Sequence, residues 1–429
     1  MKEIFKIDDS FTNKVTYYHL LFFVISLPFD RFYSELLLIS LLIHTLIHFR
    51  KEKLRLPGKP GLLLIAPFIV ALLASTYALN KSNAFSDLGK ELAILLFPLL
   101  LPMSGLDLGK YRSRILKAFA ITCTVTIAWL YVYNLLIIHY NHFPITYIGS
   151  SFFTNHAFSR SIELHATYFS MYVALSVTTV VYLFIHAKTF SARLPWMIAL
   201  CILLAGLLQL SSRAVFIAML VILNLAIPLL MLKPRYRLKF YLISGSLTLI
   251  TIASLLTIDN FKERYITDLK EDLSQLSDNS DLLEPRMMRW KAAMKPIGKS
   301  PLIGYGTGNE TRVLKEEYYD NRLYVSFLNE FNAHNQYIGL LVRSGIIGLA
   351  VYLYLMCFGF ANAWLAKDPF FFSFMVIIAV VSFSENILDV NKGIFFYSFF
   401  FSFFIFSLKR PVVFPGLQKK DKNIQSASL

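Results

Sequence analysis

The chain has 429 residues, of which 56% are hydrophobic and only 16% charged, with a formal net charge of +15. Soluble globular chains carry about 25% charged residues, so this composition argues against a soluble protein. The basic residues stand in short segments between long apolar runs. They therefore indicate membrane topology and contact with lipid headgroups, and we expect no nucleic-acid partner.

The apolar runs predict an all-α, polytopic membrane protein, because long runs without alternation favour helices over a barrel. We predict about twelve transmembrane helices, within a range of ten to fourteen, since the first and fourth runs are short. They cover residues 16–29, 32–49, 61–79, 92–103, 115–139, 164–186, 195–210, 214–232, 238–258, 336–365, 369–383 and 393–408. No small-residue cleavage site follows the first run, so we expect no cleavable signal peptide.

Lys and Arg are dense in alternate connecting segments and sparse in the others, which predicts that both termini are cytoplasmic. We divide the chain into four parts: about nine N-terminal transmembrane helices in 1–258, a large external loop with short helices in 259–335, about three C-terminal helices in 336–408, and a basic cytoplasmic tail in 409–429. Long loops of this kind usually carry function.

The end of the large loop carries a candidate base. Asn332 is a candidate cap for the following helix, which places His334 near the external water–lipid boundary. Histidine titrates near neutrality, so it can take a proton from a hydroxyl. An interfacial histidine bonded to a headgroup or a carbonyl is the structural alternative, and it stays open.

Three arginines are candidates for binding a phosphate-bearing substrate. Arg213 lies in a very short turn between two spans. Arg286 and Arg289 lie three apart, which places them on one face if the segment is helical. One guanidinium group can donate two parallel hydrogen bonds to two oxygens of a phosphate. Snorkelling to lipid phosphate for Arg213, and an ordinary solvated helix for the other two, are the alternatives.

Other polar features are less specific. Glycines alternate in 301–308, which predicts a structural turn and does not match a dinucleotide fingerprint. Several ionisable groups lie close to the membrane, where such groups are functional candidates or anchors. They are Glu163, His165, Arg343, Glu385 and Asp389.

The order of these features resembles the O-antigen ligase and O-antigen polymerase superfamily of bacterial membrane glycosyltransferases, over about residues 164–349. The resemblance rests on short motifs: Arg286 with Trp290, the 301–306 run, His334 with Asn335, the 345–349 run, the Ser212-Arg213-Ala214 turn, and His165 with Tyr168.

The resemblance implies a GT-C-like enzyme in the bacterial inner (cytoplasmic) membrane, with its active site and large loop on the periplasmic face. It implies a glycan donor carried on undecaprenyl pyrophosphate, and transfer to an acceptor hydroxyl without a metal or other cofactor. Lipid A–core is the favoured acceptor, as in ligases. Another lipid-linked repeat unit, as in polymerases, and a protein hydroxyl, as in related oligosaccharyltransferases, stay open.

Each candidate site residue then has a proposed role in glycan transfer. His334 is the proposed general base, because an acceptor hydroxyl must lose its proton as it attacks. Arg213, Arg286 and Arg289 would bind the pyrophosphate and stabilise its growing charge. A further group would shape the site or contact the acceptor: Asn335, His165, Glu163, Arg343 and Tyr305.

Two other classes of protein remain as alternatives. A transporter or flippase of an anionic solute or lipid would suit twelve spans and a basic external face, but the halves show no convincing repeat. A structural membrane scaffold is the other alternative, which the clustered His and Arg of the large loop disfavour.

Overall fold

The structure is a computed structural model that describes residues 2–48, 58–257 and 284–416, together with positions 262, 267 and 270. Throughout these residues the regular elements are helical and no strand occurs, which confirms the all-α prediction. The large loop is described from residue 284 onward. Most of the predicted segment 259–283 and the end of the predicted basic tail lie outside the described residues.

The long helices before the large loop follow the predicted apolar runs. They are α1 Phe11–Ser26, α2 Arg31–Ile47, α3 Gly58–Thr76, α4 Lys81–Met103, α5 Leu108–Tyr140, α6 Ala166–His186, α7 Phe190–Leu210, α8 Arg213–Val221 and α9 Pro234–Thr257. A π-helical turn, Ile222–Ala226, continues α8 to Leu230. The fourth helix is much longer than the predicted 92–103, because its first half is polar and starts at the capping residue Asn80.

The described part of the large loop, from residue 284 onward, contains three helices, and three more helices follow it. They are α10 Arg286–Lys299, α11 Glu310–Asp320, α12 Tyr324–Leu328, α13 Gln336–Leu365, α14 Pro369–Val381 and α15 Asn391–Phe406. A short connection between α14 and α15 contains the 3₁₀ turn Ile387–Asp389.

Six of the described helices are long and apolar enough to cross a bilayer: α3, α5, α6, α7, α8 with its continuation, and α13. The helices α14 and α15 are apolar but shorter. This pattern supports a multi-pass membrane protein. The count of twelve spans, the four-part division and the periplasmic placement of the loop stay predictions.

Aromatic side chains fill the centre of the bundle around α15. Phe399 of α15 is fully buried and contacts Phe23 of α1 and Phe97 of α4, with ring centroids 5.1 and 5.3 Å away. Between membrane helices, close packing replaces the hydrophobic effect as the main attraction. These rings therefore hold α15 and the connection before it in a defined position.

The helix α13 is broken at Gly345, whose φ is 62° and ψ is −159°. A break frees backbone groups that lipid cannot satisfy. The 301–306 run of the large loop pairs with them. Three backbone hydrogen bonds of 2.8 Å join the two segments: Tyr305 N–H to Val342 O, Gly306 N–H to Arg343 O, and Ile346 N–H to Pro301 O.

Glycine is required on both sides of this junction. A Cβ on Gly304 would lie 2.5 Å from the carbonyl oxygen of Val342, and one on Gly345 would lie 2.3 Å from that of Leu302. No side chain fits at these distances. Gly304 and Gly345 thus allow the large loop to dock on the broken helix α13, which begins just after His334.

Candidate functional site

His334 lies in the tight turn that enters α13. Its φ is 46°, and its backbone N–H donates to Asn332 Oδ1 at 3.0 Å. Asn335 caps α13, because its Oδ1 accepts from the N–H groups of Tyr337 and Ile338 at 3.0 and 3.2 Å. The prediction that Asn332 caps this helix was wrong. Its side chain is used to shape the His334 turn, and the helix starts three residues later.

The nearest carboxylate to the His334 ring is Glu385, in the connection between α14 and α15. Its Oε2 lies 3.5 Å from His334 Nδ1, and Thr167 Oγ1 donates to its Oε1 at 3.5 Å. Burial raises the pKa of the Glu385 carboxyl. The adjacent His334 ring, and after it the interactions with His165 and Arg286, outweigh burial, so the pKa is lowered overall and the group is ionised at neutral pH.

Arg286 joins this pair from the large loop. It is the first residue of α10, and its Nη1 donates to the carbonyl oxygen of Ser384 at 3.1 Å, one residue before Glu385. Its charge contributes to the pKa values of Glu385 and His165. A guanidinium, a carboxylate and two imidazoles therefore share one site, which we name the His334 cluster: His334, Glu385, Arg286 and His165.

His165 completes the cluster at the start of α6, where its Nδ1 accepts from Thr167 N–H at 3.3 Å. Its ring centroid lies 4.0 Å from that of His156. Desolvation lowers the His165 pKa; the charge of Glu385 opposes this, and the charges of His156, His334 and Arg286 add to it. The ring also borders an open groove. Both the helix cap and the lowered pKa favour neutral imidazole.

A groove of about 360 Å³ opens beside the cluster. It shares His165 with the cluster and is also bordered by Glu163, Lys90 and Lys392. Glu163 is exposed and has a φ of 50°, in the turn that leads into α6. The groove gives a hydrophilic ligand access to the His165 side of the cluster.

Arg213 begins α8 at the same end of the bundle as His165. Ser211 has a left-handed φ of 49°, and Arg213 is half-buried. Gln209 Nε2 holds this turn by donating to two carbonyl groups, of Ile148 and Phe153, both at 2.6 Å. These carbonyls belong to the segment that leads to His165. Convergence of Arg213 with Arg286 on one phosphate group stays a prediction.

Arg289 is placed differently from Arg286. It is buried in the core of the large loop, with its guanidinium 5.4 Å from the centre of the Phe331 ring. That ring lies edge-on to His334, at a centroid distance of 5.6 Å. The burial of Arg289 favours a role in holding Phe331 beside His334 over direct contact with a pyrophosphate.

Arg343 and Tyr305 have structural contacts. Arg343 is buried and forms ion pairs with Glu91 of α4 and with Asp389, whose Oδ1 lies 2.7 Å from its Nη1. The Tyr305 hydroxyl donates to the carbonyl of Pro296 at 3.0 Å. Arg343 thus fixes the connection after α14, and Tyr305 anchors the large loop. Both residues therefore shape the site without belonging to the His334 cluster.

A second polar group lies under the cluster, centred on Asn386. Its Oδ1 accepts from Asn335 N–H at 2.8 Å, and its Nδ2 donates to Glu310 and to Asp389. Glu310 also accepts from Ala333 N–H at 3.1 Å. Burial, and then the charge of Asp389, raise the pKa of the Glu310 carboxyl to about 7. We name Asn386, Glu310, Asp389 and Asn335 the Asn386 network; it holds the residues on both sides of His334.

Sequence reasoning did not select Glu310 or Asn386, and it noted Glu385 only as an ionisable group near the membrane. The available signal was the pair Glu385 and Asn386, an acid and an amide in a very short connection between apolar helices. Within the described part of the chain, no three His, Cys, Asp or Glu side chains group as a metal site would.

A family model described as O-antigen ligase matches residues 198–353. This confirms the predicted resemblance to the O-antigen ligase and polymerase superfamily. No curated protein matches the chain.

The O-antigen ligase match covers only part of the site. It includes Arg213, Arg286 and His334, but it begins after His165 and ends before Glu385. The carboxylate beside His334 therefore comes from outside the matched region, and the fold brings it to the histidine through the packing of α14 and α15.

Proposed function

We propose that the protein is a glycosyltransferase that moves a glycan from a lipid pyrophosphate carrier to an acceptor hydroxyl, with His334 as the general base. The match to the O-antigen ligase family supports activity of the ligase or polymerase type. The observation that carries the role of His334 is Glu385 Oε2 at 3.5 Å from its Nδ1, with Arg286 donating to the carbonyl of Ser384, the residue before Glu385.

Glu385 orients the His334 ring for proton transfer. A carboxylate at Nδ1 favours the tautomer with the proton on that nitrogen, which leaves Nε2 to accept a proton from the acceptor hydroxyl. The acceptor oxygen then bonds to the anomeric carbon as the bond from that carbon to the pyrophosphate oxygen breaks. The proton goes to His334, the lipid pyrophosphate leaves with the bonding electron pair, and the anomeric centre inverts.

Arginine would stabilise the leaving group. The pyrophosphate gains negative charge as the bond breaks, and a fixed cation there lowers the barrier more than it strengthens ground-state binding. Arg286 is placed for this role by its position in the His334 cluster, and Arg213 is the proposed second cation. Guanidinium remains protonated even when partly desolvated.

The finer assignments are part of the same proposal. We infer an undecaprenyl pyrophosphate donor, metal-independent transfer, and an enzyme in the bacterial inner membrane with cytoplasmic termini and a periplasmic site. Lipid A–core is the favoured acceptor. In a deletion strain, loss of all attached polysaccharide indicates a ligase, attachment of a single unit indicates a polymerase, and loss of glycan from proteins indicates an oligosaccharyltransferase.

The central test is glycan transfer by the purified protein in proteoliposomes without an ion gradient. Transfer under these conditions would also exclude a transporter. With undecaprenyl pyrophosphate-linked glycan and lipid A–core, His334→Ala should lower the transfer rate by roughly 10²- to 10⁴-fold, because the proton acceptor is lost. His139→Ala is the matched control, since His139 is an exposed histidine at the same end of the bundle. Full activity of a correctly inserted His334→Ala protein would refute the proposal.

A further inference from the structure

A larger cavity lies at the other end of the bundle from His334. It has a volume of about 560 Å³ and is lined by the start of α5, the ends of α6, α13 and α15, and the start of α14. The 30 residues of α13, which is broken at Gly345, separate it from the His334 cluster. Its volume falls in the range of about 300–1,000 Å³ that is typical of ligand pockets.

Positive charge is in excess around this cavity. Lys367, Lys409 and Arg410 line it, and Lys367 and Lys409 are exposed. Among the described lining residues the single carboxylate is Asp368, which is paired with Arg112 at 2.5 Å. One carboxylate thus neutralises Arg112, and the described lining offers no second carboxylate for Lys367, Lys409 or Arg410, whose Nη1 donates to the carbonyl of Leu365.

Apolar side chains form part of the cavity lining, beside polar ones such as Ser113 and Thr179. Leu116 of α5, Leu183 of α6 and Leu230 after α8 contribute buried or half-buried surface. A site for free phosphate would not need such walls. A phospholipid needs both parts, because its phosphate requires cations and its acyl chain requires apolar contact.

Basic residues near membrane surfaces also serve topology alone, without any bound ligand. Here they converge on one cavity between helix ends, and basic pockets of this kind bind anionic lipid headgroups. We propose that this cavity binds the phosphate-bearing headgroup of an anionic phospholipid, with the acyl chain along the apolar walls. The site is separate from the proposed transfer reaction.

The test measures binding to the full-length protein in detergent. Dioleoylphosphatidylglycerol should raise the thermal unfolding temperature in a saturable way, because a ligand of the folded state stabilises it. Dioleoylphosphatidylcholine, which has no net charge, should raise it much less. The variant Lys367→Gln/Lys409→Gln should bind phosphatidylglycerol at least roughly tenfold more weakly, given the contribution of each cation near a headgroup.

A matched control is Lys188→Gln/Lys239→Gln, which removes two exposed lysines at the same end of the bundle that do not line the cavity. It should bind phosphatidylglycerol like the unmodified protein. Equal loss in both variants, equal stabilisation by phosphatidylcholine, or the same stabilisation by inorganic phosphate alone would each overturn the proposal. Thermal unfolding without lipid verifies that every variant folds.

Discussion

The His334 cluster combines residues with separate tasks. His334 presents a ring nitrogen, Glu385 places a carboxylate oxygen 3.5 Å from that ring, and Arg286 brings a guanidinium from the large loop. His334 and Arg286 stand in recognisable local motifs, so the sequence predicted them. The pairing with Glu385 joins positions 51 residues apart across two helices, and no local pattern indicates which acid will face the histidine.

The positioning role of Glu385 can be tested by its amide. Glu385→Gln keeps the size of the side chain but removes the charge, so the ring of His334 loses its orienting partner. We expect a fall in kcat of roughly 10- to 100-fold, below the full contribution of a general base, with little change in KM for the lipid-linked donor. Glu316→Gln, at an exposed acid of α11 that does not line the groove, should have normal kcat.

A mainly structural role for Glu385 would give a different result. The variant would then lose thermal stability and KM would rise together with the loss of kcat, and Glu385→Asp, which retains the charge, would not restore the rate.

The raised pKa of Glu310 predicts that the stability of the folded protein depends on pH. Burial raises its pKa to about 7 in the folded protein, whereas in the unfolded chain it ionises near its ordinary value of about 4.3. The folded state therefore disfavours the ionised form, and stability is lost as pH rises from about 4.5 to about 7. Glu310→Gln should flatten the unfolding temperature across this range.

The comparison variant is Glu316→Gln, because Glu316 is an exposed acid of the same helix α11. It should retain the pH dependence of the unmodified protein. A Glu310→Gln protein with an unchanged slope would show that another group titrates there.

The broken helix α13 joins the large loop to the membrane-embedded part of the site. The sequence predicted α13 with its observed bounds, and it predicted a turn at the alternating glycines. It did not predict that the two segments pair, because backbone pairing between a loop and a helix break leaves no periodic pattern. The glycines at both sides of the junction are explained only by that contact.

Gly345→Ala should disrupt this junction. The added Cβ would lie 2.3 Å from the Leu302 backbone and would force a left-handed φ on alanine. We expect a loss of stability of roughly 1–3 kcal/mol or more, with reduced transfer, since the loop carries Arg286. Thermal unfolding and the transfer assay measure both effects.

Gly89→Ala is the reference substitution, because a Cβ at this position in α4 has no neighbour within 4 Å. It should be neutral or slightly stabilising. Equal stability of Gly345→Ala and Gly89→Ala would contradict the proposed docking.

The whole molecule is predicted to place the His334 cluster on the periplasmic side and the basic cavity on the cytoplasmic side. The helix α6 connects the two ends, with Glu163 before it and Lys188 after it, both exposed. In a protein without its three native cysteines, Glu163→Cys should react with a membrane-impermeant maleimide in intact spheroplasts. Lys188→Cys should react only after permeabilisation; labelling of both from one side would refute the orientation.

The sequence by itself determined the helical class, the approximate bounds of most helices, the family resemblance and the identity of the candidate base. These features depend on local hydrophobicity and on short motifs, which neighbouring residues encode. Only the tertiary structure decided that Asn335 caps α13, that Arg289 supports Phe331, that Arg343 pairs with Glu91 and Asp389, and that Glu385 faces His334. Each depends on how distant helices pack, and a buried charge takes the partner that the fold brings within reach.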